Sequence, residues 1–309
     1  MQTIRCLKWC NEKTKMLSIL ITTFNYDVTA LVTEVHKQSI ACKIEFEILV
    51  YDDASTDLEV RKNNTSINAL ENASYTILKS NIGRSAIRNK LAKTAQYEWL
   101  LFLDADVMPS SFDFIENYIN LKNSKYEAVF GGFIYSKKNE NYSSNLRWAY
   151  GKKYEQVDAE KRNKTPYQIT ISANVLIKKP VFQSLELEET NRYGMDNYFG
   201  VKLRAKNCSI FHMQNPVLHC GLEDNETYLK KTNEGIDTLV YFFKKGKLKS
   251  SDNKLLALYL RLKAMKLHQT ISILGSVLNP IIKINLLGSK PKTSFFQMYK
   301  LFYICKIMN

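Results

Sequence analysis

The sequence lacks the patterns that indicate a structural zinc site, a secretion signal or a membrane-spanning segment. Its six cysteines show no paired C-x-x-C spacing, so reduced thiols are expected instead of a structural zinc site. Residues 1–15 are mixed and charged, without the apolar core of a signal peptide, and no secretion signal is expected. No uninterrupted apolar run of about 18 residues occurs. The nearest one, residues 271–287, is interrupted by Asn279, Pro280 and Lys283.

Acidic residues are almost missing from the C-terminal end. The chain of 309 residues has a net charge of +14, and residues 241–309 contain twelve Lys and one Arg against a single acid, Asp252. The first 240 residues are therefore nearly neutral. Apolar segments alternate with Lys in the basic end, which is typical of helices that lie on an anionic membrane surface. The alternative is a helical subdomain whose basic face is in solvent.

Short apolar segments alternate with helical patterns over the first 110 residues. Strands are predicted at residues 18–21, 46–50, 75–78 and 99–103. Helices are predicted at 28–39, after a cap at Asp57, and from Ser85. This alternation predicts an α/β fold with a mostly parallel central sheet flanked by helices. Such sheets bind ligands at the carboxyl ends of their strands.

Charged residues follow these predicted strands. Asp104 and Asp106 flank one residue at the end of the fourth strand and can hold one hard divalent cation, Mn²⁺ or Mg²⁺, beside a diphosphate. Arg84 and Arg88, one helical turn apart, can clamp phosphate. Asp53 can accept a hydrogen bond from a nucleotide base. The alternatives are a loop or capping pair, a solvated basic face and a turn-forming aspartate.

Four segments occur in order within 90 residues: ILITTFN (19–25), EILVYDDASTD (47–57), NIGRSAIRN (81–89) and YEWLLFLDAD (97–106). Together they resemble the signatures of a family 2 glycosyltransferase of the bacterial type. The resemblance implies a GT-A fold, Rossmann-like and nucleotide-sugar-binding, over residues 16–240. Residues 241–309 are then expected to be a basic helical C-terminal extension.

The resemblance also implies roles for single residues. Base and donor recognition are assigned to residues after the first three strands, and metal binding to the D-x-D pair. The expected donor-binding residues are Thr22, Phe24, Asn25, Asp53, Arg84, Arg88, Asp104 and Asn174. The expected metal ligands are Asp104, Asp106 and His219. Phe24 can instead pack in the core, and His219 can be a structural histidine.

The general base of inverting members maps to Asp196, in the segment YGMDNYFG (193–200). Met195 stands where the family usually has Glu, which removes the partner of that carboxylate. A helix cap is the alternative role for Asp196. The aromatic side chains of Trp148, Tyr150 and Tyr154 can form a sugar-stacking wall or simply pack together.

The resulting expectation is a metal-dependent, inverting transferase with a UDP-linked sugar as donor. Its acceptor would be a saccharide or lipid-linked molecule in surface polysaccharide or glycolipid synthesis. It would act in the cytoplasm, peripheral on the inner membrane. An inactive sugar-binding relative is one alternative, because of Met195. A nucleic-acid-binding protein leaves the D-x-D pair unexplained, and a nucleotidyltransferase would need a Gly-rich basic loop after the first strand.

Overall fold

The structure is a computed structural model that describes residues 16–121, 124–136 and 145–309. The expectations about residues 1–15, including Cys6 and Cys10, lie outside the described residues. The strands are β1 Met16–Thr23, β2 Glu45–Asp52, β3 Ala73–Ile77, β4 Trp99–Asp104, β5 Val107–Pro109, β6 Ala128–Phe130, β7 Phe133–Ile134, β8 Asn174–Lys178, β9 Ile210–His212 and β10 Val217–His219. The helices are α1 Thr29–Ala41, α2 Leu58–Thr65, α3 Arg84–Thr94, α4 Phe114–Leu121, α5 Leu146–Tyr154, α6 Ala159–Lys164, α7 Lys179–Ser184, α8 Asp196–Ala205, α9 Asn225–Lys244, α10 Lys254–Ala264, α11 His268–Leu287 and α12 Thr293–Ile307.

Seven strands form one sheet in the order β3-β2-β1-β4-β8-β6-β9. The first four are mutually parallel, β8 is antiparallel to both of its neighbours, and β9 is parallel to β6. Thr22 of β1 is in register with Asp104 of β4, and Thr23 with Asp52 of β2. The predicted mostly parallel α/β fold is confirmed, and its strand ends meet at one edge. Strands β5, β10 and β7 form a small second sheet beside it.

The central strands are apolar on both faces because helices cover both. Residues 19–21 of β1 and 100–103 of β4 are buried without interruption, as expected for parallel strands inside a layered fold. Helices α1 and α4 pack on one face and contribute Val32 and Phe114 to its core. Helices α3, α7 and α8 pack on the other face. This two-sided burial fixes the strand ends that carry the site.

Two predicted helix starts are confirmed within one residue. The Asp57 carboxylate accepts hydrogen bonds from the backbone N–H groups of Glu59 (3.0 Å) and Val60 (3.1 Å), which caps α2. Helix α3 begins at Arg84, one residue before the expected Ser85. Gly83 precedes it with a φ of 84°, a backbone conformation that residues with a Cβ rarely adopt.

The C-terminal helices pack on the body through α9, which passes through residue 240. Leu256 and Tyr259 of α10 share a core with Tyr198 of α8. Phe296 and Phe302 of α12 share another with residues of α5, α9 and α11. The division into residues 16–240 and 241–309 stays a prediction.

Helix α11 differs from the interrupted segment expected from sequence. It runs over 20 residues and continues through Pro280, so the proline costs one intrahelical hydrogen bond without ending the helix. By length and composition alone, α11 is the one candidate membrane span among the described residues. Only 17% of its apolar window is buried. Its buried residues Gly275, Ile282 and Leu286 lie on one side.

Candidate active site

A cleft of about 280 Å³ lies at the carboxyl ends of β1 and β2. It is lined by residues from four segments of the chain: Thr22, Thr23, Phe24, Asp53, Asn81, Gly83, Arg84, Ile87 and Asn191. The sequence places four of these in one site, namely Thr22, Phe24, Asp53 and Arg84. The segment before α8 supplies Asn191, which sequence reasoning missed.

The carboxylate of Asp53 connects two loops of the cleft. Its Oδ1 accepts a hydrogen bond from the N–H of Ile82 (2.7 Å) and its Oδ2 from the N–H of Gly83 (2.9 Å). A carboxylate offers about four acceptor positions, so about two remain for a ligand. The preceding Asp52 is fully buried and is held by the Tyr75 hydroxyl and the Ser55 N–H. Only the second aspartate therefore faces the cleft.

Phe24 and Asn25 follow β1 at the mouth of the cleft but differ in their surroundings. The Phe24 ring is 48% exposed, so the core-packing alternative does not apply to it. Asn25, at a φ of 50°, accepts hydrogen bonds through Oδ1 from the N–H groups of Thr56 (2.7 Å) and Asp57 (3.0 Å). Its amide thus joins the loops after β1 and β2. Its predicted donor contact stays a prediction.

Two arginines of α3 form ion pairs with the first aspartate of the D-x-D pair. Arg84 Nη2 donates to Asp104 Oδ2 and Arg88 Nη2 to Asp104 Oδ1, both at 2.6 Å. Arg88 also donates to the carbonyl of Ser172 (3.0 Å). Burial lowers the pKa of Arg88, and the charge of Arg84 lowers it further. Burial on its own would lower the pKa of Arg84, but the negative charge of Asp104 raises it, and the net shift is upward. Two cations thus share Asp104, and one of them, Arg84, lines the cleft.

Asp106 faces His219 instead of the arginine pair. His219 Nε2 lies 3.3 Å from Asp106 Oδ2. Burial would raise the pKa of Asp106, but the hydrogen bond and charge of His219 lower it. The His219 ring packs edge-on against Phe133, and its buried Nδ1 has no hydrogen-bond partner among the described residues. Gly221 lies against Asp106, since a Cβ there would come within 2.4 Å of Oδ2.

This donor set fits a divalent cation bound mainly by non-protein oxygens. Asp106 Oδ2 and His219 Nε2 lie 3.3 Å apart, and both are ligands that Mn²⁺ accepts. Three or more His, Cys, Asp or Glu side chains able to hold a metal are not found together in the part of the chain that the structure describes. Mg²⁺ and Mn²⁺ sites commonly complete their shells with water and phosphate. Each oxygen of Asp104 accepts a hydrogen bond from one arginine, so about two of its four acceptor positions remain for the predicted ligation.

Asp196 is the first residue of α8 and lies beside the arginine pair. Its Oδ1 accepts hydrogen bonds from the Ser172 hydroxyl (2.6 Å) and the Ser172 N–H (3.1 Å). Its charge raises the pKa of Arg84 and opposes the lowering at Arg88. Ser172 therefore takes part in orienting both Asp196 and Arg88. Met195 is half-buried and offers no polar group where the family usually has a carboxylate.

Asn174 lies inside the protein and not in the cleft. It is fully buried, and its Nδ2 donates to the carbonyls of Gly132 (3.1 Å) and Asn215 (3.0 Å). Its Oδ1 accepts from the Tyr118 hydroxyl (2.6 Å). These bonds satisfy the amide and connect the segments that contain Gly132 and Asn215. The side chain therefore holds two segments of the chain together, which a motif match could not reveal.

Comparisons with known proteins identify a family and several solved structures with a similar fold. The family described as glycosyl transferase family 2 matches residues 18–185. Similar solved structures include residues 1-349 of TarS from S. aureus, with 16% identity, TM-score 0.52 and coverage of 94% of this chain and 90% of that chain. The complex of that protein with UDP-GlcNAc has TM-score 0.51 and 15% identity over the same shares of the two chains. The mannosyltransferase PcManGT from Pyrobaculum calidifontis, in complex with GDP-Man and Mn²⁺, has TM-score 0.54 and 13% identity over 94% and 86%. No curated protein sequence matches.

Proposed function

Since the chain belongs to glycosyl transferase family 2, we propose that it transfers a sugar from a UDP-linked donor to a saccharide or lipid-linked acceptor, with inversion. The observation that carries this proposal is that Asp53 and Arg84 line one cleft, and that Arg84 and Arg88 both pair with Asp104, the first residue of the D-x-D pair. The cleft therefore combines an acceptor for a base, fixed cations and the neighbouring metal-binding carboxylate of Asp106. The similar structures in complex with UDP-GlcNAc and GDP-Man support a nucleotide-diphospho-sugar as the donor class.

The donor would lie with its base near Phe24 and Asp53 and its diphosphate near Arg84 and Arg88. An exposed aromatic ring can stack on a base, and Asp53 keeps acceptor positions for a base N–H. Asp106 and His219 would hold Mn²⁺ or Mg²⁺. The bound cation would supply charge that stabilises the leaving diphosphate. The two guanidinium groups would stabilise the same developing charge.

Asp196 is the proposed general base. The two hydrogen bonds from Ser172 hold its Oδ1, which leaves Oδ2 to take the proton of an acceptor hydroxyl. As the acceptor oxygen bonds to the anomeric carbon, the bond from that carbon to the diphosphate oxygen breaks. The electron pair leaves with the nucleoside diphosphate. Attack from the face opposite the leaving group inverts the anomeric centre, as in inverting glycosidases.

The basic end is proposed to place the enzyme on an anionic membrane surface. On α11, Ile273, Val277, Ile281 and Ile284 form one outward face, each between 64% and 74% exposed. Exposed Lys283 lies on the same helix, and exposed Lys266 and Lys290 lie two residues before its start and three after its end. An apolar helix face accompanied by lysines is complementary to a lipid surface, where each such charge contributes about 1 kcal/mol. This fits a lipid-linked acceptor or one made at the inner membrane.

The catalytic proposal is tested by a screen of nucleotide sugars with Mn²⁺ that measures released nucleoside diphosphate. Release with one donor by the wild type and its loss in Asp106→Ala are expected. No release from any donor, together with Mn²⁺-dependent UDP binding, would favour the inactive relative that Met195 suggests. A chain that neither releases nor binds a nucleotide would overturn the proposal.

The membrane proposal is tested by sedimentation with vesicles of phosphatidylglycerol and of phosphatidylcholine. The wild type is expected to sediment with the anionic vesicles, and less so as salt is raised. Replacing Ile273, Val277, Ile281 and Ile284 by Ser should abolish sedimentation. A matched variant with four Ser at exposed polar positions of α1 and α2 should not. Equal sedimentation of both variants would contradict the proposed surface.

A further inference from the structure

A second cavity of about 250 Å³ lies between the catalytic body and the C-terminal helices. Its walls come from helix α5, from the segment that precedes α8, and from helices α9 and α12. The residues that matter for its chemistry are Arg147, Glu155, Tyr150, Tyr193, Phe296 and Lys300. Phe296 and Lys300 belong to the basic extension, so the extension contributes directly to this cavity.

The cavity adjoins the proposed general base. Gly194 and Asn197 line it, and Asp196 lies between them in the chain. Tyr193 also lines it, and Asp196 lines a smaller pocket together with Arg84 and Arg88. A hydroxyl compound held here would therefore be within the neighbourhood of both the base and the arginine pair. Arg84 also lines the donor cleft.

The walls of the cavity carry one unbalanced positive charge. Arg147 Nη1 pairs with Glu155 Oε2 at 2.7 Å. Lys300 pairs with no carboxylate among the described residues. Its Nζ donates to the Tyr150 hydroxyl (3.1 Å) and lies 4.4 Å and 4.9 Å from the ring centres of Tyr150 and Phe296. Burial lowers the pKa of Lys300 to about 8, against the charge of Glu155. A buried ammonium without an anion is costly unless a ligand supplies one.

Resting on the proposed function, we propose that this cavity is the acceptor site and that it takes a saccharide bearing a phosphate or carboxylate group. The anionic group would pair with Lys300, and the sugar ring would lie against Tyr150, Tyr193 and Phe296. Aromatic faces and few placed polar groups are common in sites for sugars and other small molecules. The extension would then select the acceptor as well as place the enzyme.

Binding of simple probes to the full chain tests this without knowing the acceptor. Glucuronate, glucose 6-phosphate, glucose and inorganic phosphate are titrated and followed by NMR at pH 7. The two anionic sugars are expected to bind roughly tenfold or more tightly than glucose, as for one charge-assisted hydrogen bond. Lys300→Gln should remove this preference. Lys306→Gln, which removes an exposed charge from the same helix, should keep it.

The pH dependence separates binding to Lys300 from a structural effect of the substitution. Raising the pH from 7 to 9 neutralises Lys300, so the anion preference of the wild type should fall. Lys300→Arg should retain it, because an arginine stays charged. Burial raises the pKa of Tyr150 and of Tyr193 to about 12 and that of Tyr228 well above its usual value, so these hydroxyls stay neutral over this range. The other charged side chains of the cavity, Arg147 and Glu155, form an ion pair with each other. A sugar phosphate, with a second pKa near about 6, keeps its charge over this range.

UDP binding with Mn²⁺, measured on the same proteins, distinguishes the two levels of proposal. It is expected to be unchanged in all Lys variants. Intact UDP binding with equal affinity for glucose and glucuronate would overturn the acceptor site alone. So would an equal loss in Lys306→Gln, or inorganic phosphate binding as tightly as glucose 6-phosphate. Loss of UDP binding in the wild type would overturn the proposed function itself.

Discussion

Replacing Asp196 by Asn changes the charge of the proposed base while keeping its shape. The Asn carbonyl oxygen can still accept both hydrogen bonds from Ser172, at 2.6 Å and 3.1 Å. The side chain is half-buried and begins α8, whose first turn has no other acidic residue. The substitution therefore removes proton acceptance and leaves the local hydrogen bonds in place. It separates a chemical role from the capping role that sequence alone left open.

The expected effect on transfer is much larger than the effect on folding. A positioned general base contributes about 10²–10⁴-fold to rate, so the turnover number should fall by that range. Hydrogen bonds to a charged acceptor are worth about 1 kcal/mol more than those to a neutral one. Two weakened bonds at a partly exposed site thus lower the free energy of unfolding by about 1–2 kcal/mol. The loss of negative charge beside Arg84 and Arg88 should leave diphosphate binding intact or slightly stronger.

The assay compares the turnover number for transfer to the best acceptor with the affinity for UDP and Mn²⁺ and with urea unfolding. Ser172→Ala is the matched control, because it removes the 2.6 Å hydrogen bond and keeps the carboxylate. A loss of about tenfold or less is expected for it, as for one hydrogen bond. Full transfer by Asp196→Asn would refute the base assignment. Equal damage by Ser172→Ala would reduce Asp196 to a structural role.

Three further substitutions examine the donor side. Asp106→Ala should weaken Mn²⁺ binding in the presence of UDP by more than tenfold, measured by the electron paramagnetic resonance of Mn²⁺, because it removes a ligand beside His219. Gly221→Ala should weaken Mn²⁺ binding too, with a near-wild-type melting temperature, since its Cβ would lie 2.4 Å from Asp106 Oδ2. Arg88→Met should lower the free energy of unfolding by about 3 kcal/mol in urea and weaken UDP binding, because it leaves Asp104 with one partner.

The donor cleft was predictable because its residues follow strands whose order the chain dictates. In a parallel sheet the polar residues after successive strands meet at one edge, and the register of Thr22 with Asp104 brings two such ends together. What the motifs could not reveal is how each side chain is occupied. Asn25 and Asn174 match the family pattern, yet both hold loops together through their amides. An amide can bind a ligand or a loop, and sequence does not distinguish the two.

The residues that sequence reasoning missed reach the site from distant segments. Asn191 lies more than 100 residues after Gly83, which it contacts, and Lys300 is 150 residues after Tyr150. Neither belongs to a short motif, because each is brought in by the packing of an entire helix or loop. In the sequence, Lys300 is only one of the many positive charges of residues 241–309. The glycine at 83 was visible in sequence, but its neighbour depends on tertiary structure.

The lysines of the extension therefore fall into two groups, one exposed to solvent and one lining the second cavity. Exposed lysines lie on α11 and near its ends, whereas Lys300 of α12 points inward to the second cavity. The two helices pack together where Gly275 meets Phe302. The contact is close, because a Cβ added at Gly275 would lie only 2.7 Å from the Phe302 side chain. Substitutions on the outward face of α11 do not reach this seam. The four Ser replacements that should release the protein from vesicles should thus leave its affinity for glucuronate within about twofold. A parallel loss of both would mean that the outward face of α11 also supports the cavity.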